Sequence, residues 1–119
     1  MTRPYQSEGQ QQSQLFQWAA YRKDLALLFA VPNGGTRNKI EAVNLKRQGV
    51  KPGVPDMFLP VARRGYHGLF IELKTEKGRT SKNQDTWIAD LNAQGYFCEV
   101  CRGFDSAVRV IGWYMEGKT

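Results

Sequence analysis

Lys51-Pro52-Gly53-Val54-Pro55 puts two prolines and a glycine into five residues, and no helix can run through it. Each proline fixes its own φ and pushes the residue before it toward extended backbone. What lies on either side must therefore be separate elements joined by a stiff, extended stretch. After it come Asp56-Met57-Phe58-Leu59-Pro60-Val61 and Gly68-Leu69-Phe70-Ile71-Glu72-Leu73-Lys74, separated by the polar residues 62–67. Two short runs of β-forming residues around a polar turn predict a β-hairpin.

Ahead of that stretch, Leu15, Trp18, Ala19, Leu25, Leu28 and Phe29 recur at spacings of three and four. This predicts a helix over residues 8–29 with one buried stripe and a break near 22–24. Val31-Pro32-Asn33-Gly34-Gly35 ends it, and Thr36 is a suitable N-cap for a second helix reaching Gln48. Ile40, Val43 and Leu45 are available for burial there, and Gly49 marks its end. Beyond the hairpin, Thr80 or Ser81 caps a helix through about residue 93, with Trp87, Ile88 and Leu91 on one side. A third strand over residues 96–101 leads to a last helix carrying Ala107, Val108, Val110, Ile111 and Tyr114. The order ααββαβα predicts an α/β fold, a small mixed β-sheet flanked by helices.

The length of 119 residues suits a single domain spanning residues 1–119, with a modest core that an oligomer would help to cover. No apolar run approaches the roughly 20 residues of a membrane span, and residues 1–14 do not form a charged-then-apolar leader. The expected location is cytoplasmic. Cys98 and Cys101 stand too close in a strand to staple a fold, and with His67 the sole histidine a structural zinc site lacks ligands.

Charge is concentrated. Between Arg37 and Lys82 stand eleven basic and four acidic residues, so this segment holds +7 while the whole chain has +6. A basic block attracts polyanions through phosphate neutralisation and counterion release, and nucleic acid is the commonest such partner. Within the block, Pro55-Asp56 is followed sixteen residues later by Glu72-Leu73-Lys74. Strand alternation puts Glu72 and Lys74 on one face and Ile71 and Leu73 on the other, and the hairpin carries Asp56 toward them. An acid and a base two apart in a strand ordinarily form a solvent face. Two carboxylates brought close call for a cation between them, however, and hard oxygen ligands suit Mg²⁺ or Mn²⁺. Beside a basic groove such a site is equipped for phosphodiester hydrolysis, with Lys74 orienting water or stabilising charge on phosphate oxygens.

Gly49 to Pro60, Gly68 to Lys74, and Ser81, Gln84 and Trp87 together resemble the VRR-NUC (virus-type replication-repair nuclease) domain of the PD-(D/E)XK nuclease superfamily. The resemblance covers nearly the whole chain and is to the stand-alone, phage-type members. It implies a homodimer that cuts branched DNA, four-way Holliday junctions above all, with Mg²⁺ or Mn²⁺, in recombination or DNA repair within a bacterial host cytoplasm. Residue by residue, it implies Asp56 and Glu72 as metal ligands, the Leu73 carbonyl as another, and Lys74 as the catalytic lysine. Glu8, four residues before Gln12, matches the family's first-helix acid and would join the metal ligands; Gln84 matches a glutamine beside the catalytic centre. The turn at Asn33, Arg37 and Lys39 also resembles the family pattern and would present phosphate-binding groups at a helix start. Lys51, Arg63, Arg64, Lys77, Arg79 and Lys82 would complete a DNA-binding groove. The alternatives are a non-catalytic protein that recognises junction shape, and a nuclease acting on flap or single-stranded DNA.

Overall fold

The structure, a computed structural model, describes residues 6–32 and 39–119. The first helix, α1 (Glu8–Ala19), starts at a capping box in which Ser7 and Gln10 satisfy each other's backbone N–H groups. It is shorter than the apolar spacing predicts. A single 3₁₀ turn, Lys23–Leu25, and a two-residue strand, β1 (Phe29–Ala30), occupy the rest of the expected 8–29 helix. Arg22 grips Asp24 at 2.6 Å, and Phe29 pairs with Phe58, so the backbone turns and then extends. Leu25 and Leu28 reach the core all the same, because a 3₁₀ turn also repeats every three residues.

Helix α2 (Lys39–Arg47) follows. The proposed Thr36 cap, with Asn33 and Arg37, lies outside the described residues. Contrary to expectation, α2 buries no residue; Ile40 and Val43 are exposed and Leu45 is half-buried. The hairpin is β2 (Met57–Leu59) and β3 (Leu69–Lys74). Helix α3 (Lys82–Ala93) is capped by Ser81, strand β4 spans Phe97–Arg102, and α4 spans Phe104–Glu116.

Among the described residues the sheet has four strands in the order β1-β2-β3-β4. The first three run antiparallel, and β4 lies parallel to β3 after the α3 crossover. The fold is thus the expected mixed α/β type, with β1 as the strand that sequence pattern did not reveal. Its two residues are too few to carry a period-two signal.

Met57, Leu59, Leu69, Ile71 and Leu73 form the buried face of the sheet with Leu15 and Ala19 of α1 and Ala107, Ile111 and Tyr114 of α4. On the other face Phe58 stacks on Phe70 at 4.2 Å, flanked by Phe29 and Tyr96. Strand alternation places Glu72 and Lys74 on this second, aromatic face. Gly53 brings α3 against the stretch leading into Asp56. It has φ +93°, and a Cβ there would stand 2.7 Å from the Asn83 Cβ, so both backbone and space require glycine. No helix among the described residues is long and apolar enough to cross a membrane.

Candidate active site

Three elements meet at the end of β3. Asp56 stands one residue before β2, one step beyond the Met57–Ile71 pair, where an antiparallel register sets it opposite Glu72. Its Oδ2 accepts a 2.7 Å hydrogen bond from the Leu73 N–H, which fixes the carboxylate against β3. Gln84 comes from the first turn of α3. Its Oε1 caps the Ser81 N–H at 2.8 Å while its Nε2 donates to Glu72 Oε2 at 3.4 Å. Glu8, in the first turn of α1, supplies the third side: Lys74 Nζ lies 4.0 Å from Glu8 Oε1 and 3.8 Å from Glu72 Oε2.

Far from forming a solvent face, Glu72 and Lys74 are buried, with Glu72 only 2% exposed. Glu72 Oε1 has no hydrogen-bond partner among the described residues. Burial disfavours the charged form, and the Asp56 carboxylate beside it repels a second negative charge. Together these push the Glu72 carboxyl up to about 8, against the weaker opposing pull of Lys74. A buried carboxylate oxygen with nothing to bind is costly, on the order of 1–3 kcal/mol or more, unless a ligand answers it.

The donor set fits a hard divalent cation. Among the described residues no three His, Cys, Asp or Glu side chains converge into a closed cage. Mg²⁺ needs none, since it keeps several waters and is ordinarily held by one or two carboxylates with backbone or substrate oxygens. Asp56, the orphaned oxygen of Glu72 and the neighbouring Leu73 carbonyl are of that chemistry. Glu8 sits against Lys74, and its side chain is 46% exposed.

The remaining sequence-predicted residues divide in two. Lys77, Arg79 and Lys82 follow Lys74 directly, in the connection to α3 and its first residue, and all are exposed. Lys51, just before Gly53, and Lys39, at the start of α2, are exposed as well. Arg63 and Arg64 lie in the β2–β3 turn, at the opposite end of the hairpin from the carboxylates. Arg64 is committed to α4: its guanidinium donates to the Trp113 carbonyl at 2.9 and 2.6 Å and lies 4.0 Å above the Trp113 ring. Arg63 Nη1 donates to its neighbour's carbonyl, Ala62 O, at 2.8 Å.

Gln11 is a residue that sequence reasoning passed over. It is buried, accepts from the Phe104 N–H at 2.8 Å and donates to the Gln6 carbonyl at 3.1 Å, so α1 is tied to the start of α4. Its place four residues before Leu15, on the same stripe as that buried leucine, is the signal that could have found it.

The comparisons with known proteins agree with this geometry. The family profile described as VRR-NUC domain matches residues 2–105. A solved structure described as a VRR_NUC domain protein superimposes with a TM-score of 0.85 at 29% identity, covering 98% of this chain and 93% of that one. None of the curated proteins matches.

Proposed function

Because the chain belongs to the VRR-NUC family, nucleases of the PD-(D/E)XK type that act on DNA and generally use divalent metal ions, we propose that it is a Mg²⁺- or Mn²⁺-dependent, structure-specific endodeoxyribonuclease. Its proposed substrate is branched DNA, a four-way Holliday junction first of all. The observation that carries the reading is the buried, unpartnered Glu72 oxygen beside Asp56 and Lys74. A protein that only bound DNA would gain nothing from two carboxylates facing a polyanion.

Asp56, Glu72 and the Leu73 carbonyl would hold the cation, with Glu8 as a further ligand. When bound, the cation would polarise the scissile phosphate and lower the pKa of water. Lys74, held within 4.0 Å of both Glu8 and Glu72, would set its ammonium against phosphate oxygens as charge develops there. Gln84 would keep Glu72 turned toward the ligand through its Nε2 donor. Lys39, Lys51, Lys77, Arg79 and Lys82 would follow the DNA backbone around this centre. Asn33 and Arg37 keep their proposed phosphate-binding role on the strength of the family resemblance. Arg63 and Arg64 would need a second duplex arm to reach DNA, since they stand at the far end of the hairpin.

The proposed assembly is a homodimer, whose two-fold symmetry would present one site to each of two strands of a junction. Five of the six exposed large apolar side chains among the described residues, Tyr21, Leu27, Phe29, Ile40 and Val43, fall between residues 21 and 43. Exposed apolar side chains of this kind support a partner surface. The proposed setting is a bacterial cytoplasm, with residues 1–119 acting as one nuclease domain in recombination or repair.

The test is cleavage of a labelled four-way junction, beside a flap, a single strand and a plain duplex, by the wild type and Glu72→Ala in Mg²⁺, Mn²⁺ or EDTA. Paired, metal-dependent nicks at the junction that vanish in Glu72→Ala are expected. Binding without cutting in either metal would overturn the nuclease. Preferential cutting of the flap or single strand would move the substrate while keeping the chemistry.

A further inference from the structure

We infer that Arg102 is a positioning residue of this active site, the centre of a three-residue clamp at the β4–α4 junction; the inference rests on the nuclease reading above. Arg102 ends β4, and its side chain turns back over the chain that leaves β3. Its Nη1 donates to the carbonyl oxygens of Thr75 at 3.2 Å, Glu76 at 3.3 Å and Gly78. The next residue, Gly103, donates its N–H to the Lys74 carbonyl at 3.1 Å. The one after that, Phe104, donates its N–H to Gln11 Oε1 at 2.8 Å. Three consecutive residues thus fasten the connection behind Lys74, the backbone of Lys74 itself, and the helix that carries Glu8.

The connection needs such a hold. Residues 75–80 link β3 to the Ser81 cap, and outside the Gly78 N–H to Thr75 carbonyl bond they form no ladder with a neighbour among the described residues. They determine where Lys77 and Arg79 stand and how Ser81 and Gln84 meet Glu72. Three carbonyl oxygens brought to one point also repel one another, and a guanidinium among them offsets that repulsion. Gly103 completes the arrangement. Its φ is +102°, and a Cβ there would stand 3.1 Å from Gln11 Oε1, so a side chain would press on the group that ties α1 to α4.

All three carbonyls gather on one nitrogen of a cationic group, whose two N–H bonds they share; an ammonium keeps that positive charge and a neutral amide loses it. Arg102→Lys and Arg102→Gln therefore separate positioning from bulk. In the full chain, Arg102→Gln is expected to lower single-turnover cleavage in Mg²⁺ by about tenfold or more, the scale of a modest misplacement of catalytic groups. DNA affinity in EDTA should change by less than about threefold, since every basic side chain assigned to the groove is retained. Hydrogen exchange should speed up at the amides of residues 75–80 and stay unchanged in β3. Arg102→Lys should recover most of the cleavage and of the protection.

Wild-type cleavage by Arg102→Gln would overturn the inference. So would a parallel fall of binding, cleavage and β3 protection, which marks general destabilisation, or a lysine variant no better than glutamine. Failure of the wild type to cut any DNA is a different result: it removes the nuclease reading, and the inference with it.

Discussion

Glu72 is the side chain whose surroundings oppose its own ionisation most strongly, and that opposition has a sign. Its folded-state pKa of about 8 stands above the ordinary 4.5, so between these values the folded chain keeps a proton that the unfolded chain has lost. Without a metal, this residue's stabilising contribution is full below pH 4.5, declines as pH rises, and is gone above pH 8. Chemical unfolding in EDTA should find the wild type losing stability from pH 6 to pH 8.5 relative to Glu72→Gln, which has no such proton to lose. Equal slopes would contradict the buried, carboxylate-flanked setting. Lys74 acts later. If its ammonium meets charge that develops only in the transition state, Lys74→Ala should hold junction affinity within a few fold while single-turnover cleavage falls by roughly two orders of magnitude or more. Unchanged cleavage would remove lysine from the mechanism.

Among the elements, α3 shows how a local rule and a site requirement can be met by one residue. A capping box accepts Glu or Gln at its third position, and either would satisfy the Ser81 N–H. Only Gln also has a donor for Glu72, at 3.4 Å. Gln84→Glu should therefore leave thermal stability within a few degrees of the wild type yet cut cleavage by about tenfold, because it keeps the cap and points a third carboxylate at two others. Retained cleavage would reduce Gln84 to its capping role. The first helix teaches the complementary lesson. Spacings of three and four over residues 15–29 fit a long helix, but they fit α1, a 3₁₀ turn and β1 as well, and pairing of Phe29 with Phe58 decided between them.

At the scale of the whole molecule, three exposed cations, Lys77, Arg79 and Lys82, follow Lys74 closely in the chain. Replacing Lys77, Arg79 and Lys82 together by Gln should weaken DNA binding without regard to sequence and flatten the slope of log affinity against log salt by about 2–3. An unchanged slope would place the DNA elsewhere. The same replacement at Arg63 and Arg64 would confuse two effects, because Arg64 also holds the end of α4.

The sequence by itself determined the hairpin, a cap at residue 80 or 81 for the helix that follows it, and the approach of Asp56 to Glu72 and Lys74. Each of these follows from local chemistry: proline and glycine dictate backbone, alternation dictates faces, and a hairpin dictates which residues stand opposite each other. Tertiary structure alone decided that Glu72 and Lys74 are buried rather than solvated, since that depends on α1 and α3, whose side chains come from residues 8–19 and 82–93. It also decided that α2 stays largely uncovered, that Arg64 serves a helix end, and that Arg102 and Gln11 clamp segments distant in the chain. Burial and long-range hydrogen bonds are properties of what arrives from elsewhere, and no local pattern encodes the arrival.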